Sequence, residues 1–582
     1  MSKLNIDQKT IKSLFEDRKV NFLIPDYQRP YAWDELECNV LWDDIYEFAF
    51  PDNDYSKFDT ENNEYFLGPI VTFINESDKK EIIDGQQRVT TLMLLLRAFY
   101  EKFKYMEDTD TKSTREIIEK CIWQTDEFGN ANKEVLKIDS EVATDEDKND
   151  FIEILKNGEI NKNSKSKYAK NYRLFQDKIN EFINRSPSVF KYLPARILNN
   201  CILLPIEAES QDTALRIFST LNDRGKPLAD ADIFKAQFYK YYVKLNKKQY
   251  FIGEWKKLEE KCTKLFERNY ENPMDEIFTR YMYYERAKQK IKSTTTESLR
   301  KFYEKDSYKI LKDEQTLKNI IDLTVFWEQV DNQDKEVFSE IVLKKLYVIK
   351  NSPNRMWTFI LSVYFLHNKD SDNKLDNNKL YEFIERLIAF TFTYAIVNPG
   401  VNALRTPVYP EMISIIESNP LNFKDYKFDE SFVRNSINNF KFYNMRPVTK
   451  SMLTWWTFEC KEQILLSQET EFQIEHIYAK KRMEIENSLK NKENLELLGN
   501  KSLLERQINI RAADYKFEDK KRYYEGYITA TGQQKKGTEI IDLLELIKKE
   551  DNIFDERSIL SRNNEIIEKY IEYLRKIKLL NQ

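Results

Sequence analysis

The first 110 residues alternate between two hydrophobic periods, which predicts short strands interleaved with helices. Val20–Ile24 and Gly68–Ile74 are rich in strand-forming residues, and Glu81–Asp84 is a short apolar run. From Gln86 the apolar residues recur at helical spacing, at Val89, Leu92, Met93 and Leu96. We therefore expect a strand to end at Asp84 and a helix to begin just after Gly85. The free N–H groups and the dipole of such a helix start favour an anion.

The next segment is mainly helical by the same criterion. Residues 110–200 are charged and mostly helical, with a loop around Asn157–Ser166. Cys201–Ile206 has the composition of a buried strand. The pattern then predicts a helix over Ala214–Leu221, a turn over Asn222–Leu228 and another helix to about Leu245. Asp230 or Asp232 is expected to cap that last helix.

From about residue 250 to 435 nearly every window has a helical period. The aromatic stripes Phe278–Tyr284 and Trp357–Phe365 are expected to be core faces of a helical bundle. A last region begins near residue 440 and ends in two charged helices. The fold class predicted is α+β, predominantly α-helical, with three domains at residues 1–245, 246–439 and 440–582. A length of 582 residues agrees with two or three domains.

Composition narrows the possible partners and the compartment. The net charge of −5 comes from 92 basic and 97 acidic residues, so a nucleic-acid surface must be a local patch. The five cysteines are scattered with no Cys-x-x-Cys pair, which argues against a zinc knuckle or a disulfide framework. The N-terminus does not resemble a signal peptide, and no apolar run is long enough to span a membrane. We expect a cytoplasmic protein with no membrane partner.

One of the two histidines, His476, stands in a motif that suggests hydrolytic chemistry. Glu475 precedes it, and Asn500 and Asn509 follow at a distance. Histidine accepts protons near neutral pH, and oxygen ligands hold a divalent cation on a phosphate, so this layout is typical of one-metal nucleases of the His-Asn-His type. In an extended strand Glu475 and His476 would face opposite sides, so the two roles require a bent backbone. The alternative is a half-buried histidine whose ring is satisfied by the backbone.

A second dense motif lies near the N-terminus. Ile24–Trp33 combines aromatic rings with Gln28 and Arg29, and Asp84-Gly85-Gln86-Gln87-Arg88 adds a carboxylate and a second guanidinium at a helix start. Such groups hold a base or a phosphate, although the P-loop of common NTPases is missing. The alternative is an N-terminal arm whose Tyr31 and Trp33 plug a core.

The C-terminal landmarks resemble the nuclease half of GmrSD-type (type IV) modification-dependent restriction enzymes. They are Ile474-Glu475-His476-Ile477-Tyr478, Leu498-Gly499-Asn500, Leu503-Leu504, Asn509 and Phe517-x-x-Lys520-x-x-Tyr523. The resemblance implies a ββα-metal (HNH) domain in which His476 is the general base, Glu475 and Asn509 are metal ligands, and Asn500 braces the loop. Lys520 would contact phosphate or lie on a solvated helix face. The chain departs from the family at Glu475, where Asp is usual, and at Ala479, where Pro is usual.

The N-terminal landmarks resemble the sensor half of the same enzymes, whose fold is similar to the ParB/sulfiredoxin group. A third landmark, Phe218–Leu228, extends this resemblance over roughly residues 10–245. It implies nucleotide binding in which Asp84 handles metal or water, Gly85 permits close approach, and Gln86, Gln87 and Arg88 hold the phosphates. Tyr27, Gln28 and Arg29 would line the same pocket.

Together these features predict an endonuclease that restricts foreign, modified double-stranded DNA. The expected cofactors are Mg²⁺ or Mn²⁺ and a nucleoside triphosphate (GTP, ATP or UTP), and a homodimer is possible. One alternative is an NTPase that senses phosphorothioate DNA and nicks it. Another is a non-catalytic DNA-binding regulatory protein.

Overall fold

The computed structural model describes most of the chain. The described residues run from 5 to 581, except 7, 143–144, 146, 162, 212, 215–216, 218–228, 268–269, 271, 401–402, 487–488 and 550–551. The predicted turn at residues 222–228 lies outside them, as do most of the helix expected from Ala214 and all of the third landmark.

Thirteen strands are present in the described residues. They are β1 Asn5–Ile6, β2 Lys9–Thr10, β3 Phe22–Ile24, β4 Tyr65–Ile74, β5 Lys80–Asp84, β6 Trp123–Thr125, β7 Ala131–Leu136, β8 Ile138–Ser140, β9 Cys201–Ala208, β10 Phe472–His476, β11 Lys501–Glu505, β12 Gly526–Ile528 and β13 Gln534–Lys536.

The helices of the first 266 residues are α1 Ile11–Phe15, α2 Glu35–Ala49, α3 Gln86–Phe103, α4 Thr109–Ile122, α5 Lys148–Asn157, α6 Lys167–Arg185, α7 Tyr192–Asn200, α8 Asp230–Lys244 and α9 Lys248–Phe266. Those that follow are α10 Pro273–Lys288, α11 Leu299–Tyr308, α12 Glu314–Asp331, α13 Glu340–Lys350, α14 Met356–Asn368, α15 Asn377–Val397, α16 Arg405–Ile416, α17 Glu430–Asn439, α18 Pro447–Thr457, α19 Lys480–Glu486, α20 Arg506–Ala512, α21 Phe517–Glu525, α22 Ile541–Lys548 and α23 Glu556–Lys576.

The chain divides into two compact units, residues 1–257 and 258–582. The first unit is built on a mixed sheet with the strand order β1-β9-β4-β5-β3-β8, in which β2 also pairs with β9. β9 runs parallel to β4, and β5 runs parallel to β3 but antiparallel to β4. Helix α3 is buried along nearly its whole length against this sheet and α6, so it forms the core of the unit.

The second unit contains a helical bundle and the C-terminal region. Aromatic side chains join the bundle helices: Tyr283 of α10 stacks on Phe359 of α14 at 4.2 Å. The C-terminal helix α23 packs on α15 and α18, where Tyr570 contacts Thr393 through its hydroxyl at 2.9 Å and Trp455 edge-on. The predicted boundary at residue 439 therefore lies inside this unit.

The mixed α+β class, with helices dominant, is confirmed. The strands expected at Val20–Ile24, Gly68–Ile74, Glu81–Asp84 and Cys201–Ile206 form as β3, β4, β5 and β9, and the helix from Gln86 forms as α3. No helix in the described residues is both long enough and apolar enough to cross a membrane.

One local prediction was incomplete and another was wrong. Residues 110–200 are mostly helical as expected, but residues 123–140 contain β6, β7 and β8, and β8 pairs with β3 in the main sheet. Helix α8 begins after Ala229, whose side chain makes no cap, so Asp230 and Asp232 lie in the first turn and act on the helix dipole instead.

Candidate functional site

The strand-to-helix junction at Gly85 forms as the sequence predicts. Gly85 has a φ of +89°, and a Cβ at this position would lie 3.1 Å from the carbonyl oxygen of Pro69. Glycine alone adopts this turn without strain. It lacks a side chain that could cap α3, so the first turn of this helix receives no side-chain hydrogen bond.

Most of the motif's side chains at this junction bind the protein itself. The side-chain oxygen of Gln87 accepts the N–H of Ala32 at 2.6 Å, and its amide donates to the carbonyl of Pro30 at 3.2 Å. Gln86 donates to the carbonyl of Arg29 at 3.3 Å, and Gln28 donates to the carbonyl of Ile83 at 3.1 Å. The glutamines therefore fasten the segment 25–33 to β5 and α3.

The aromatic residues of that segment follow the alternative interpretation, in which they plug a core. Tyr31 is buried, stacks on Tyr168 at 4.8 Å and exchanges a hydrogen bond with Thr91 at 2.6 Å. Trp33 packs partly buried against the same core. Tyr27 is buried as well, and its hydroxyl donates to Glu81 at 3.1 Å.

Asp84, Arg29 and Arg88 are the charged groups at the junction. Burial raises the pKa of Asp84 although the Gly85 N–H and the charges of Arg88 and Arg29 favour its carboxylate. Arg88 donates to the carbonyl of Pro69 at 3.0 Å and fills the space that a side chain at Gly68 would occupy. Arg29 is half-buried and donates no hydrogen bond within the described residues. Among the described residues, Arg29 and the first turn of α3 are thus the groups at this junction that have no side-chain hydrogen bond.

In the C-terminal region, His476 is the last residue of one strand of a two-stranded antiparallel ribbon. β10 and β11 pair so that His476 lies opposite Lys501 and Glu475 lies opposite Ser502. Helix α19 lies between the two strands along the chain, and α20 follows β11 directly. Because the strand is extended up to His476, Glu475 and His476 face opposite sides of it.

On the histidine side, a buried lysine contacts the imidazole. Lys501 has no solvent exposure. Its ammonium contacts Nε2 of His476 at 2.9 Å and donates to the side-chain oxygen of Asn444 at 2.6 Å and to Glu496 at 2.7 Å. Burial opposes the charge of Glu496, yet the imidazole of His476, whose Nε2 lies 3.8 Å from the carboxylate, and the hydrogen-bonded ammonium of Lys501 lower its pKa to about 2. Burial lowers the pKa of Lys501, and Glu496 counteracts that effect.

On the opposite side, Glu475 is buried beside a second lysine. One oxygen of its carboxylate accepts the ammonium of Lys520 at 2.5 Å and the hydroxyl of Tyr524 at 2.7 Å. Lys520 also donates to the backbone carbonyl of His476 at 2.7 Å. Burial, followed by the charge of Glu475, raises the pKa of Tyr524 well above its usual value.

These contacts do not fit a divalent cation on Glu475. The ammonium of Lys520 occupies the carboxylate, and like charges in one ligand shell repel. The side chain of Asn509, on α20, donates to Gln473 at 2.9 Å. Among the described residues, the one cluster of acidic, cysteine and histidine ligands close enough to share a metal is Cys460, Glu462 and Glu545, which excludes both Glu475 and His476.

Asn500 holds the loop that follows His476. Its side-chain oxygen accepts the N–H of Tyr478 at 2.7 Å, and its amide donates to the carbonyl of the same residue at 3.1 Å. Gly499 permits α23 to approach, because a Cβ there would lie 2.1 Å from the carbonyl oxygen of Ile559. Arg562 of α23 donates to the carbonyls of Gly499 and Lys501 and pairs with Asp542. The loop is therefore fixed from two sides.

His476 opens onto a cavity of about 520 Å³. It is lined by Tyr443, Asn444, Met445, Arg446, His476, Lys480 and Glu496. The guanidinium of Arg446 lies 4.8 Å from the ring centre of Phe440. With Arg446 and Lys480 at its wall and Lys501 behind it, three cations face a single carboxylate. This charge balance suits a phosphate group.

Sequence reasoning missed most of the groups around His476. Asn444, Arg446 and Glu496 belong to no motif, and Lys480 and Lys501 stand within the C-terminal motif region without an assigned role; only the fold brings the five together. The one available signal was Lys501 itself: in β11 it sits one position before the buried run Ser502–Leu504, where a lone lysine requires a partner.

Comparison with known proteins adds a finding for the N-terminal part of the chain. No match was found among curated proteins. Residues 11–239 match the family model described as the N-terminal domain of the GmrSD restriction endonuclease. The matched segment contains the Gly85 junction and ends well before His476. The N-terminal region of this protein is therefore similar to the N-terminal domain of GmrSD restriction endonucleases.

Proposed function

We propose that the protein is a DNA endonuclease that restricts modified foreign DNA. The observation that carries the proposal is the cavity at His476, in which an imidazole lies among Arg446, Lys480 and the buried Lys501. The similarity of residues 11–239 to a restriction endonuclease domain supports the same class of activity.

In the proposed reaction, the phosphodiester enters the cavity and pairs with Arg446 and Lys480. His476 accepts a proton from the attacking water, because an imidazole is a base near neutral pH. Asn500 keeps the loop after His476 in place. Mg²⁺ or Mn²⁺ is the cofactor that the resemblance implies. Glu475 would reach such an ion only after parting from Lys520, so we assign no step to a metal.

The N-terminal junction is proposed to bind the phosphates of a nucleotide. Arg29 and the uncapped first turn of α3 are the groups that would hold them. Gln86 and Gln87 are proposed to act indirectly, because their side chains hold the segment that carries Arg29. Recognition of the DNA modification is assigned to the same unit.

The test is cleavage of matched plasmid or phage DNA, unmodified and variously modified, with Mg²⁺, Mn²⁺ or EDTA and with or without a nucleoside triphosphate. His476→Ala should lower the cleavage rate by about a hundredfold or more, the size of a general-base contribution. His367→Ala, at the other histidine, is the matched control and should cut normally. Cleavage that survives in His476→Ala would refute the catalytic assignment. Nucleotide turnover without any cutting would favour a nucleotide hydrolase, and DNA binding with neither activity would favour a regulatory protein.

A further inference from the structure

The contact between Lys501 and His476 limits what the resting imidazole can do. An ammonium has three N–H donors, and those of Lys501 have three acceptors within 2.9 Å: Asn444, Glu496 and Nε2 of His476. All three acceptors also line the cavity, so Lys501 lies directly behind its wall. Since a lysine ammonium accepts no hydrogen bond, Nε2 must be the acceptor in this pair.

We propose that Lys501 is the positioning residue of this site, holding His476 in the tautomer protonated at Nδ1 and covering Nε2 until a substrate phosphate draws the ammonium away. This inference rests on the proposed nuclease function for its role in cleavage, although the tautomer itself does not depend on it. A neutral imidazole has one N–H and one lone pair, so a lone pair engaged at Nε2 leaves the proton on Nδ1.

The resting arrangement is consequently inactive as a base. Nδ1 already carries a proton, and the lone pair of Nε2 is engaged by Lys501. When the ammonium moves toward a phosphate in the cavity, Nε2 becomes free to accept a proton from water. The water oxygen then forms a bond to phosphorus while the bond from phosphorus to the leaving nucleoside oxygen breaks. The leaving oxygen takes a proton from solvent on the opposite side of the phosphorus, and the imidazolium releases its proton to solvent, so atoms and charges balance.

The surrounding residues hold the ammonium of Lys501 in place in the resting state, and the adjacent cavity allows it to move toward a bound phosphate. Register pairs His476 directly with Lys501 across the ribbon, so both side chains project from the same face. Asn444 and Glu496 fix the ammonium from the other directions. A phosphate held by Arg446 and Lys480 would bring negative charge beside an ammonium that has no exposed surface of its own. A charge-assisted hydrogen bond to phosphate is stronger than one to a neutral imidazole.

Because the chain has only two histidines, replacing one of them leaves a single imidazole to observe. In the full chain carrying His367→Gln, ¹⁵N-labelled histidine gives one imidazole, and its long-range ¹H–¹⁵N spectrum at about pH 8 identifies the tautomer of the neutral ring. The parent should show Nδ1 protonated. Lys501→Met should move the population toward the Nε2-protonated form, and Lys501→Arg should retain the parent pattern. Lys480→Met removes another lysine of the same cavity and should leave the tautomer unchanged.

Cleavage provides the second readout. Lys501→Met should cut about ten- to a hundredfold more slowly, because the free lone pair is then on the wrong nitrogen, and Lys501→Arg should recover most of the rate. Because Lys501→Met leaves Glu496 without its cation, Lys501→Met/Glu496→Gln is the second variant in case the single change prevents folding.

The spectra test the positioning role of Lys501, and the cleavage rates test the nuclease function, so the two can be rejected independently. An Nε2-protonated parent, or a tautomer unchanged in Lys501→Met or in the double variant, would overturn the positioning role even if the protein cuts DNA. The expected spectra in a protein that cuts no DNA would retain the positioning role and remove the nuclease function.

Discussion

The two motif-rich regions of this chain use their polar residues in different ways. At the N-terminal junction the motif is dense, but Gln28, Gln86, Gln87 and Arg88 bind backbone carbonyls and N–H groups of the protein. At the C-terminal ribbon the motif is sparse, yet His476 opens onto a cavity whose cations come from outside it. A segment rich in polar residues can therefore serve to hydrogen-bond the protein's own backbone as well as to form a ligand-binding or catalytic site.

Among the variants that compare the two regions, the largest change in stability is expected for a substitution at Glu475. Glu475→Gln removes the partner of a fully buried ammonium, which costs about 3–5 kcal/mol in the free energy of unfolding. Urea unfolding of the second unit, followed by tryptophan fluorescence, measures it. The double variant Glu475→Gln/Lys520→Met removes the orphaned charge and should recover most of the loss. If Glu475 instead served only as a metal ligand, Glu475→Gln would leave metal-free stability unchanged.

The next effect concerns acid stability at Glu496. Its pKa in the folded protein, about 2, lies below the ordinary value of 4.5. A depressed folded pKa adds stability above the ordinary pKa, and this is lost as the pH falls from about 4.5 to about 2. We expect about 2 kcal/mol, reduced from the full linkage value because solvent screens a partly exposed carboxylate. Glu496→Gln should flatten the unfolding free energy over that pH window. An unchanged slope would contradict the pairing with Lys501 and His476.

A smaller effect distinguishes the two kinds of residue within the N-terminal motif. Gln87→Leu leaves the partly buried N–H of Ala32 without its acceptor and should destabilise the first unit by about 1–2 kcal/mol. Arg29→Gln is the matched control and should change stability by less than about 0.5 kcal/mol while weakening nucleotide binding. Thermal unfolding and nucleotide titration measure the pair. Loss of nucleotide affinity in a fully stable Gln87→Leu would show that Gln87 contacts the phosphates directly.

The smallest effect is expected at the rim of the His476 cavity. Arg446→Gln and Lys480→Gln should each weaken DNA binding several-fold and lower the slope of log affinity against log salt by about 0.9. Fluorescence anisotropy with a labelled duplex at several salt concentrations measures both. Lys481→Gln, at an exposed neighbour paired with Asp514, is the control and should have little effect. Equal slopes in all three variants would place the DNA elsewhere.

The local elements were predictable where neighbouring residues alone favour one structure. The strand-forming residues of β4 and the helical spacing of α3 are such local signals, so the sequence located both. The strands at 123–140 were missed because β7 is almost wholly exposed and carries no alternation of buried positions. Its pairing with β6 depends on the folded partner and not on its own composition.

The candidate site was predictable only at its centre. His476 and Asn500 stand out in the sequence, and the structure places Asn500 against the loop after His476. The groups that surround the imidazole come from three separated segments, near residues 444, 480 and 496–501, and no periodicity links them. Lys520, expected on a solvated face or at a phosphate, is fully buried because Glu475 and Tyr524 provide it with partners.

The strand order of the first unit has a consequence for biosynthesis. β9 is the last strand of that sheet to leave the ribosome, yet it lies between β1 and β4 and pairs with β2 as well. Until Ala208 emerges, one edge of β4 has no partner, and an open strand edge invites pairing with other chains. More than a hundred residues must therefore be synthesised after β4 before the sheet of this unit can be completed. Fragments that end between α7 and β9 should aggregate, whereas fragments that extend beyond Ala208 can close the sheet.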